Sequence, residues 1–249
     1  MVLYIIGIGL DNEKDITLKG LEAVKSCKFV YLESYTSKLN CDIESLERLY
    51  GKRIVPVNRG LVENNSDEIL EKAKQDNVAF LVAGDAFSAT THTDLKMQAI
   101  SKKIPVKIIH NASILTAVGD SGLELYKFGK TTSIPFDNDN ITTPYEVLGM
   151  NLKMGLHTLF LLDIDAENAK FMQVREALDY LLKTERNEKK GLVSTGTLCI
   201  GCGKVGAVDA KIKAGAVNHI LQENFPGLQC LIIPGKLHFI EEEALKMIE

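Results

Sequence analysis

Val78-Ala79-Phe80-Leu81-Val82-Ala83-Gly84-Asp85-Ala86-Phe87-Ser88 decides the fold. Six apolar residues have the length of a buried strand. They break into a glycine-acid turn and a hydroxyl-rich loop, which runs through Ala89-Thr90-Thr91-His92-Thr93 into a helical segment from Asp94. Strand, polar loop and helix in that order put polar groups at the carboxyl end of a strand, where open α/β sheets bind ligands.

The same order recurs on either side. Residues 2–8, 29–32, 53–57, 78–83 and 106–109 read as strands, and residues 17–26, 66–75 and 94–101 as helices. In the first helix Leu18, Leu21 and Val24 share one side; the second has Asn65 or Ser66 as its cap and a Glu68–Lys72 pair at i,i+4. The apolar runs lack alternation, which predicts strands buried on both faces and a mainly parallel sheet. Further along, residues 136–140 are turn-like, and Thr143-Pro144 is biased towards extended backbone. A core strand at Thr158-Leu159-Phe160-Leu161-Leu162 precedes a helix carrying Phe171, Val174, Leu178, Leu181 and Leu182. Residues 185–190 read as a solvated turn, 198–201 and 231–233 as strands, and 241–248 as a closing helix. The expectation is two α/β domains, residues 1–115 and 116–249, within a chain of 249 residues.

Composition narrows the function. With 45% hydrophobic and 25% charged residues, the chain is an ordinary globular protein. A formal net charge of −4 argues against a nucleic-acid surface spread over the molecule. No apolar run approaches the roughly 18 residues of a spanning helix. The opening Met1-Val2-Leu3-Tyr4-Ile5-Ile6 lacks a basic region before its apolar residues, so no signal peptide and a cytoplasmic location are expected. Cys27, Cys41, Cys199, Cys202 and Cys230 are scattered and odd in number, which fits reduced thiols. Cys199 and Cys202 form a CxxC. Redox pairs of that spacing begin helices, whereas this one lies in a predicted strand, and no second CxxC completes a zinc site. Buried or pocket-lining thiols are the simpler reading. The five histidines show no ligand spacing, so no metal is expected.

Three loops could carry chemistry. Gly9-Leu10-Asp11, Gly84-Asp85-Ala86-Phe87-Ser88 and His110-Asn111-Ala112-Ser113-Ile114 each follow a predicted strand, and in a parallel sheet all three converge on one edge. Backbone groups and small side chains dominate them, which suits a cofactor held by main-chain hydrogen bonds. Gly7-Ile8-Gly9-Leu10 is not a dinucleotide fingerprint, because Asn12 occupies the last glycine position; a tight turn is the plainer reading. Asp85 has two readings, an acceptor for a ligand ammonium or hydroxyl and a loop-closing Asx turn. Thr91, His92 and Thr93 read first as loop and cap residues, Thr91 with Asp94, and second as substrate contacts.

The stretch from Gly84 to Leu95 resembles the signature of the diphthine synthases, S-adenosylmethionine-dependent enzymes of the tetrapyrrole-methylase-like superfamily; where the family usually has Gly-Asp-Pro, this chain has Ala86. The resemblance continues in order through Tyr4-Ile5-Ile6-Gly7-Ile8-Gly9-Leu10, Lys14-Asp15-Ile16-Thr17-Leu18-Lys19-Gly20-Leu21, Leu32-Glu33-Ser34-Tyr35-Thr36-Ser37 and Asn111-Ala112-Ser113-Ile114. Leu125-Tyr126-Lys127-Phe128-Gly129, His157-Thr158-Leu159, Leu162-Asp163-Ile164 and Pro234-Gly235-Lys236-Leu237-His238 complete it over nearly the whole chain. It implies two α/β domains of the tetrapyrrole methylase type, the N-terminal sheet mainly parallel and the C-terminal sheet mixed, with S-adenosylmethionine in a cleft between them. It also implies a homodimer and, as acceptor, the 3-amino-3-carboxypropyl-histidine of translation elongation factor 2, methylated repeatedly on its amino nitrogen in diphthamide biosynthesis. S-adenosylhomocysteine is then the product. By the same resemblance the cofactor contacts are Leu10, Asp85, Ser88, Ser113, Ile114 and Leu162, with Gly203 and Gln229 from two later strands; relatives often have histidine at the last position. No catalytic side chain is expected, because solvent can remove the amine proton. Two alternatives stand beside this: a methyltransferase of the same fold acting on a tetrapyrrole or other small molecule, and a non-catalytic cofactor-binding protein, to which Ala86 gives a small opening by leaving its turn looser than proline would.

Overall fold

A computed structural model of the protein describes residues 1–35, 38–64, 66–88, 92–165, 168 and 170–248. The chain divides into two compact units, Met1–Thr116 and Ala117–Glu249.

In the first unit, β1 (Leu3–Gly7), α1 (Leu18–Ser26), β2 (Phe29–Glu33), α2 (Ile43–Tyr50), β3 (Val55–Val57), α3 (Arg59–Asn64), α4 (Asp67–Gln75), β4 (Val78–Val82), α5 (Thr93–Ser101), β5 (Val106–Ile109) and the short α6 (Ile114–Ala117) follow one another. The strands form one five-stranded sheet in the order β3-β2-β4-β1-β5, parallel at every pairing. Side chains along a strand point alternately to opposite faces, so an apolar run needs a core on each side. Leu3, Ile5, Val78, Phe80 and Val82 meet Ile69, Leu70 and Ala73 of α4 and Leu95 and Ala99 of α5. Ile6, Ala79 and Leu81 meet Val24 of α1 and Leu46 and Tyr50 of α2 on the other face. Every residue of β4 is fully buried, and each large side chain contributes about 1.5–3 kcal/mol by leaving water.

The second unit contains β6 (Thr132–Ile134), α7 (Thr143–Lys153), β7 (Thr158–Leu162), β8 (Ile164–Asp165), β9 (Lys170–Phe171), α8 (Val174–Glu188), β10 (Leu198–Gly203), β11 (Lys211–Ala216), α9 (Val217–Ile220), β12 (Gln229–Ile233) and α10 (Phe239–Lys246). Its main sheet runs β11-β10-β12-β7-β6, antiparallel except for the parallel pair β6–β7; β8 and β9 form a separate hairpin. Tyr145 and Leu148 of α7 and Val174, Ala177, Leu178 and Leu181 of α8 pack with Phe160, Leu231 and Ile233. The α/β class, the parallel first sheet and the mixed second sheet agree with the sequence reading.

Several local expectations need correction. Thr143-Pro144 opens α7 rather than an extended segment, because the first helical turn needs no proline N–H. Phe171 lies in β9, ahead of the helix. Residues 185–190 are largely solvent-facing but are helix end rather than turn: α8 continues to Glu188, and the Glu185 carboxylate accepts hydrogen bonds from the Tyr145 hydroxyl at 2.7 Å and from the amides of Gly191, Leu192 and Val193 at 2.8, 2.7 and 3.1 Å. Ser66 does not cap α4. Its backbone is already helical, and its hydroxyl donates to Gln98 Oε1 at 2.5 Å. The Glu68–Lys72 pair forms at 2.9 Å. Asn65 and Thr91, the other proposed caps, lie outside the described residues.

Candidate functional site

The loops after β1, β4 and β5 meet at the carboxyl edge of the parallel sheet. Gly9 and Gly84 pair backbone to backbone, Gly9 N to Gly84 O at 3.2 Å and Gly84 N to Gly9 O at 2.6 Å. Asn111 Nδ2 donates to the carbonyls of Gly7 at 3.1 Å and Asp15 at 3.0 Å, tying the third loop to the first. Asp15 Oδ2 in turn accepts from the amides of Leu10 at 3.0 Å and Asp11 at 2.7 Å. The approach leaves no room for a side chain at position 7, where a Cβ would stand 2.6 Å from Gly84 O and 3.0 Å from Asp85 Cα. That glycine is fixed by packing and not by an unusual φ.

Asp85 is the hub of this edge. Oδ1 accepts from the Phe87 amide at 2.9 Å and the Ser88 hydroxyl at 3.1 Å; Oδ2 accepts from the Asn111 amide at 3.0 Å and contacts His110 Nδ1 at 2.8 Å. Burial works to raise its pKa, but the Phe87 and Asn111 amides, His110 and Ser88 outweigh it and hold the carboxyl below its ordinary range. Of the two readings of Asp85 the geometry shows the Asx turn, closed through Phe87; the carboxylate also joins the second loop to the third. Ser113 is buried; Leu10, Ser88 and Ile114, the first residue of α6, are half-buried around the same edge. Ala86 is fully buried in the first unit's core. His92 is also buried, its ring edge-on to Phe80 at 5.2 Å between centroids; it stands at the N-cap position of α5 without a side-chain cap hydrogen bond, so it packs rather than caps.

The remaining sequence-derived residues lie together in the second unit. Gly203 of β10 pairs with Gln229 of β12, and Leu162 ends β7 one step beyond the Leu161–Cys230 pair. They therefore stand side by side on three adjacent strands at one edge of the mixed sheet. A Cβ at Gly203 would come within 2.6 Å of Pro226 O, so close backbone approach requires glycine here. The Gln229 side chain is already used: Oε1 accepts from the Val174 amide at 2.8 Å, and Nε2 donates to Gln173 Oε1 at 2.6 Å and Phe225 O at 2.7 Å. Cys199, Cys202 and Cys230 are buried in β10 and β12, and burial pushes the Cys199 thiol up to about 12. Such thiols are packing groups at neutral pH.

Sequence reasoning missed Glu241. It is fully buried, and three separated stretches close on it: Oε1 accepts from the Glu124 amide at 2.9 Å and His157 Nε2 at 2.9 Å, and Oε2 from Lys127 Nζ and the His238 amide at 2.8 Å. Burial pushes the carboxyl up, but these donors reverse the effect and bring its pKa down to about 2. His157 accepts from the Gly235 amide through Nδ1 at 3.0 Å, so its Nε2 carries the proton donated to Glu241, and burial lowers its pKa. The signal was present as an acidic residue three places after His238, the spacing of a capping box.

Comparisons with known proteins agree with this architecture. The family profile of Tetrapyrrole (Corrin/Porphyrin) Methylases matches residues 2–198. The Diphthine methyl ester synthase of Dictyostelium discoideum is 43% identical over 264 residues, covering 98% of this chain and 96% of its own. The Diphthine synthase of Methanocaldococcus jannaschii is 43% identical over 253 residues, covering 99% and 98%. The crystal structure of a candidate diphthine synthase from Entamoeba histolytica superimposes with a TM-score of 0.92 at 40% identity, covering 99% of this chain and 98% of that one. The chain thus belongs to the diphthine synthase family of the tetrapyrrole methylases.

Proposed function

We propose that this protein is the S-adenosylmethionine-dependent methyltransferase of diphthamide biosynthesis, which methylates repeatedly the amino group of the 3-amino-3-carboxypropyl-histidine of translation elongation factor 2. The observation that carries this reading is the tie of three loops at the carboxyl edge of a parallel sheet, in a chain related over its whole length to diphthine synthases. The donor set fits the cofactor. Main-chain amides and carbonyls, the hydroxyls of Ser88 and Ser113 and the apolar flanks of Leu10 and Ile114 suit an adenosine and an amino-acid tail, and the first loop has no dinucleotide glycine pattern. Leu10, Asp85, Ser88, Ser113 and Ile114 are assigned to the cofactor from residues 1–115, and Leu162, Gly203 and Gln229 from residues 116–249, Gln229 through its backbone.

S-adenosylmethionine supplies an electrophilic methyl group when bound. The protein's own work is to hold the acceptor nitrogen in line and to exclude water. Asp85 fixes the loops rather than reacting, since its oxygens already accept from Phe87, Ser88 and Asn111 and meet His110. The working unit in this reading is a cytoplasmic homodimer, as is commonest for soluble oligomers. Among the described residues no helix is long and apolar enough to cross a membrane. Calorimetry tests the cofactor assignment: S-adenosylmethionine and S-adenosylhomocysteine should bind, with no comparable heat from NAD or ATP. Preference for either of the latter would refute it.

A further inference from the structure

The geometry points to His110 as the group that takes the proton from the acceptor amine. This inference rests on the proposed methyl transfer and adds to it the proton acceptor, a role that solvent alone would otherwise fill. His110 is the first residue after β5, at the edge where the three loops meet. Its Nδ1 lies 2.8 Å from Asp85 Oδ2, while its side chain is 70% exposed against 7% for Asp85. A buried carboxylate at Nδ1 fixes the ring's orientation and its Nδ1–H tautomer, leaving the Nε2 lone pair directed away from the carboxylate. The same carboxylate holds the Ser88 hydroxyl at 3.1 Å, so the imidazole and an assigned cofactor contact hang from one group.

The chemistry needs a proton acceptor, and a positioned base does this faster than solvent. A primary aliphatic amine is largely an ammonium ion at neutral pH and has no lone pair until a proton leaves. The N–H bond of the ammonium breaks, an N–H bond forms at Nε2, the Asp85 carboxylate stabilises the imidazolium, and the exposed ring passes the proton to water. No electrons are exchanged, and the ring returns to neutrality before the next methylation. Among the described residues the ion pair made by His110 is with Asp85; the other charge on its strand, Lys107, lies over the Tyr4 ring at 5.8 Å from the centroid.

His110→Asn is the discriminating variant, because its Nδ2–H stands where the His110 Nδ1–H stands and keeps the bond to Asp85 while removing the base. Single-turnover transfer to elongation factor 2 bearing the aminocarboxypropyl-histidine would be followed from pH 6 to 9. The expected deficit at neutral pH is about 100-fold, within the usual range for a positioned base, shrinking as pH rises and solvent deprotonates the amine. Cofactor affinity by calorimetry should stay within about twofold. Independently of turnover, nitrogen-15 spectra of the free wild-type protein should show the Nδ1–H tautomer at His110. A variant that matches wild type at every pH, a deficit constant with pH, or an Nε2–H tautomer would each overturn the assignment. Wild-type protein that transfers no methyl group to the modified factor would instead remove the functional reading itself, and this inference with it.

Discussion

Replacing Glu241 by glutamine tests how the second unit is held together. The drop of its carboxyl pKa from an ordinary 4.5 to about 2 corresponds, at ~1.36 kcal/mol per pH unit, to roughly 3 kcal/mol of folding stability. The same figure follows from contacts: the amide keeps one acceptor oxygen but turns N–H groups towards donors that include Lys127 Nζ and the His238 amide, and breaking a buried ion pair costs about 3–5 kcal/mol. Because the folded-state pKa is depressed, the contribution is fully present above the unfolded value and fades as pH falls from about 5 towards 2. The chain has no tryptophan, so urea unfolding would be followed by circular dichroism, with hydrogen exchange on β12 reporting the second unit. Wild type should lose stability steeply over that acid range, and Glu241→Gln should start about 3 kcal/mol lower at pH 7 with a shallower acid slope. Glu243→Gln, on the exposed side of α10, should stay within about 0.5 kcal/mol. If Glu241→Gln unfolds with Glu243→Gln at pH 7, the network does not hold the unit together.

Other consequences can be checked alongside. Asp85→Ala removes the acceptor for two backbone amides and a hydroxyl and should weaken S-adenosylmethionine binding by ~10–100-fold, the equivalent of charge-assisted bonds worth ~1.5–3 kcal/mol; wild-type affinity by calorimetry would sever the loop tie from the cofactor. Gly7→Ala forces backbone to move at the loop junction and should cost about 1–3 kcal/mol in urea unfolding; an unchanged midpoint would show that the junction yields freely. Sedimentation at micromolar concentration should give twice the 27.5 kDa of one chain, and a 27.5 kDa particle would remove the dimer while leaving the chemistry standing.

The sequence was most legible where one physical signal dominated. Apolar runs without alternation identified β1, β2, β4 and β5 to within a residue or two and required a parallel sheet buried on both faces. The three loops were found because a parallel sheet gathers the carboxyl ends of its strands on one edge. Short or weakly apolar elements escaped. β6 has three residues, and the Lys-Ile-Lys-Ala-Gly-Ala of β11 has little bulk, so neither stood out without its partners. α2 was also passed over, although Asp42 caps it at Ser45 N and Gly51 closes it at φ 65°, both readable in advance. Pro144 misled because its bias on the preceding residue was given more weight than its tolerance in a first helical turn. At the site, residue types were legible but bonding was not. Nothing in the sequence says that Gln229 spends its amide on Gln173, Phe225 and Val174, or that Glu241 gathers Glu124, Lys127, His157 and His238, because those contacts depend on long-range packing.

The central claim is the acceptor, and radiolabel transfer tests it most directly. Protein incubated with methyl-labelled S-adenosylmethionine should label elongation factor 2 bearing the aminocarboxypropyl-histidine, and leave both the unmodified factor and a free tetrapyrrole unlabelled. The unmodified histidine has no aliphatic amine, and the modified one differs from every lysine in presenting its amine beside a carboxylate. Efficient labelling of the tetrapyrrole with the modified factor untouched would contradict the account.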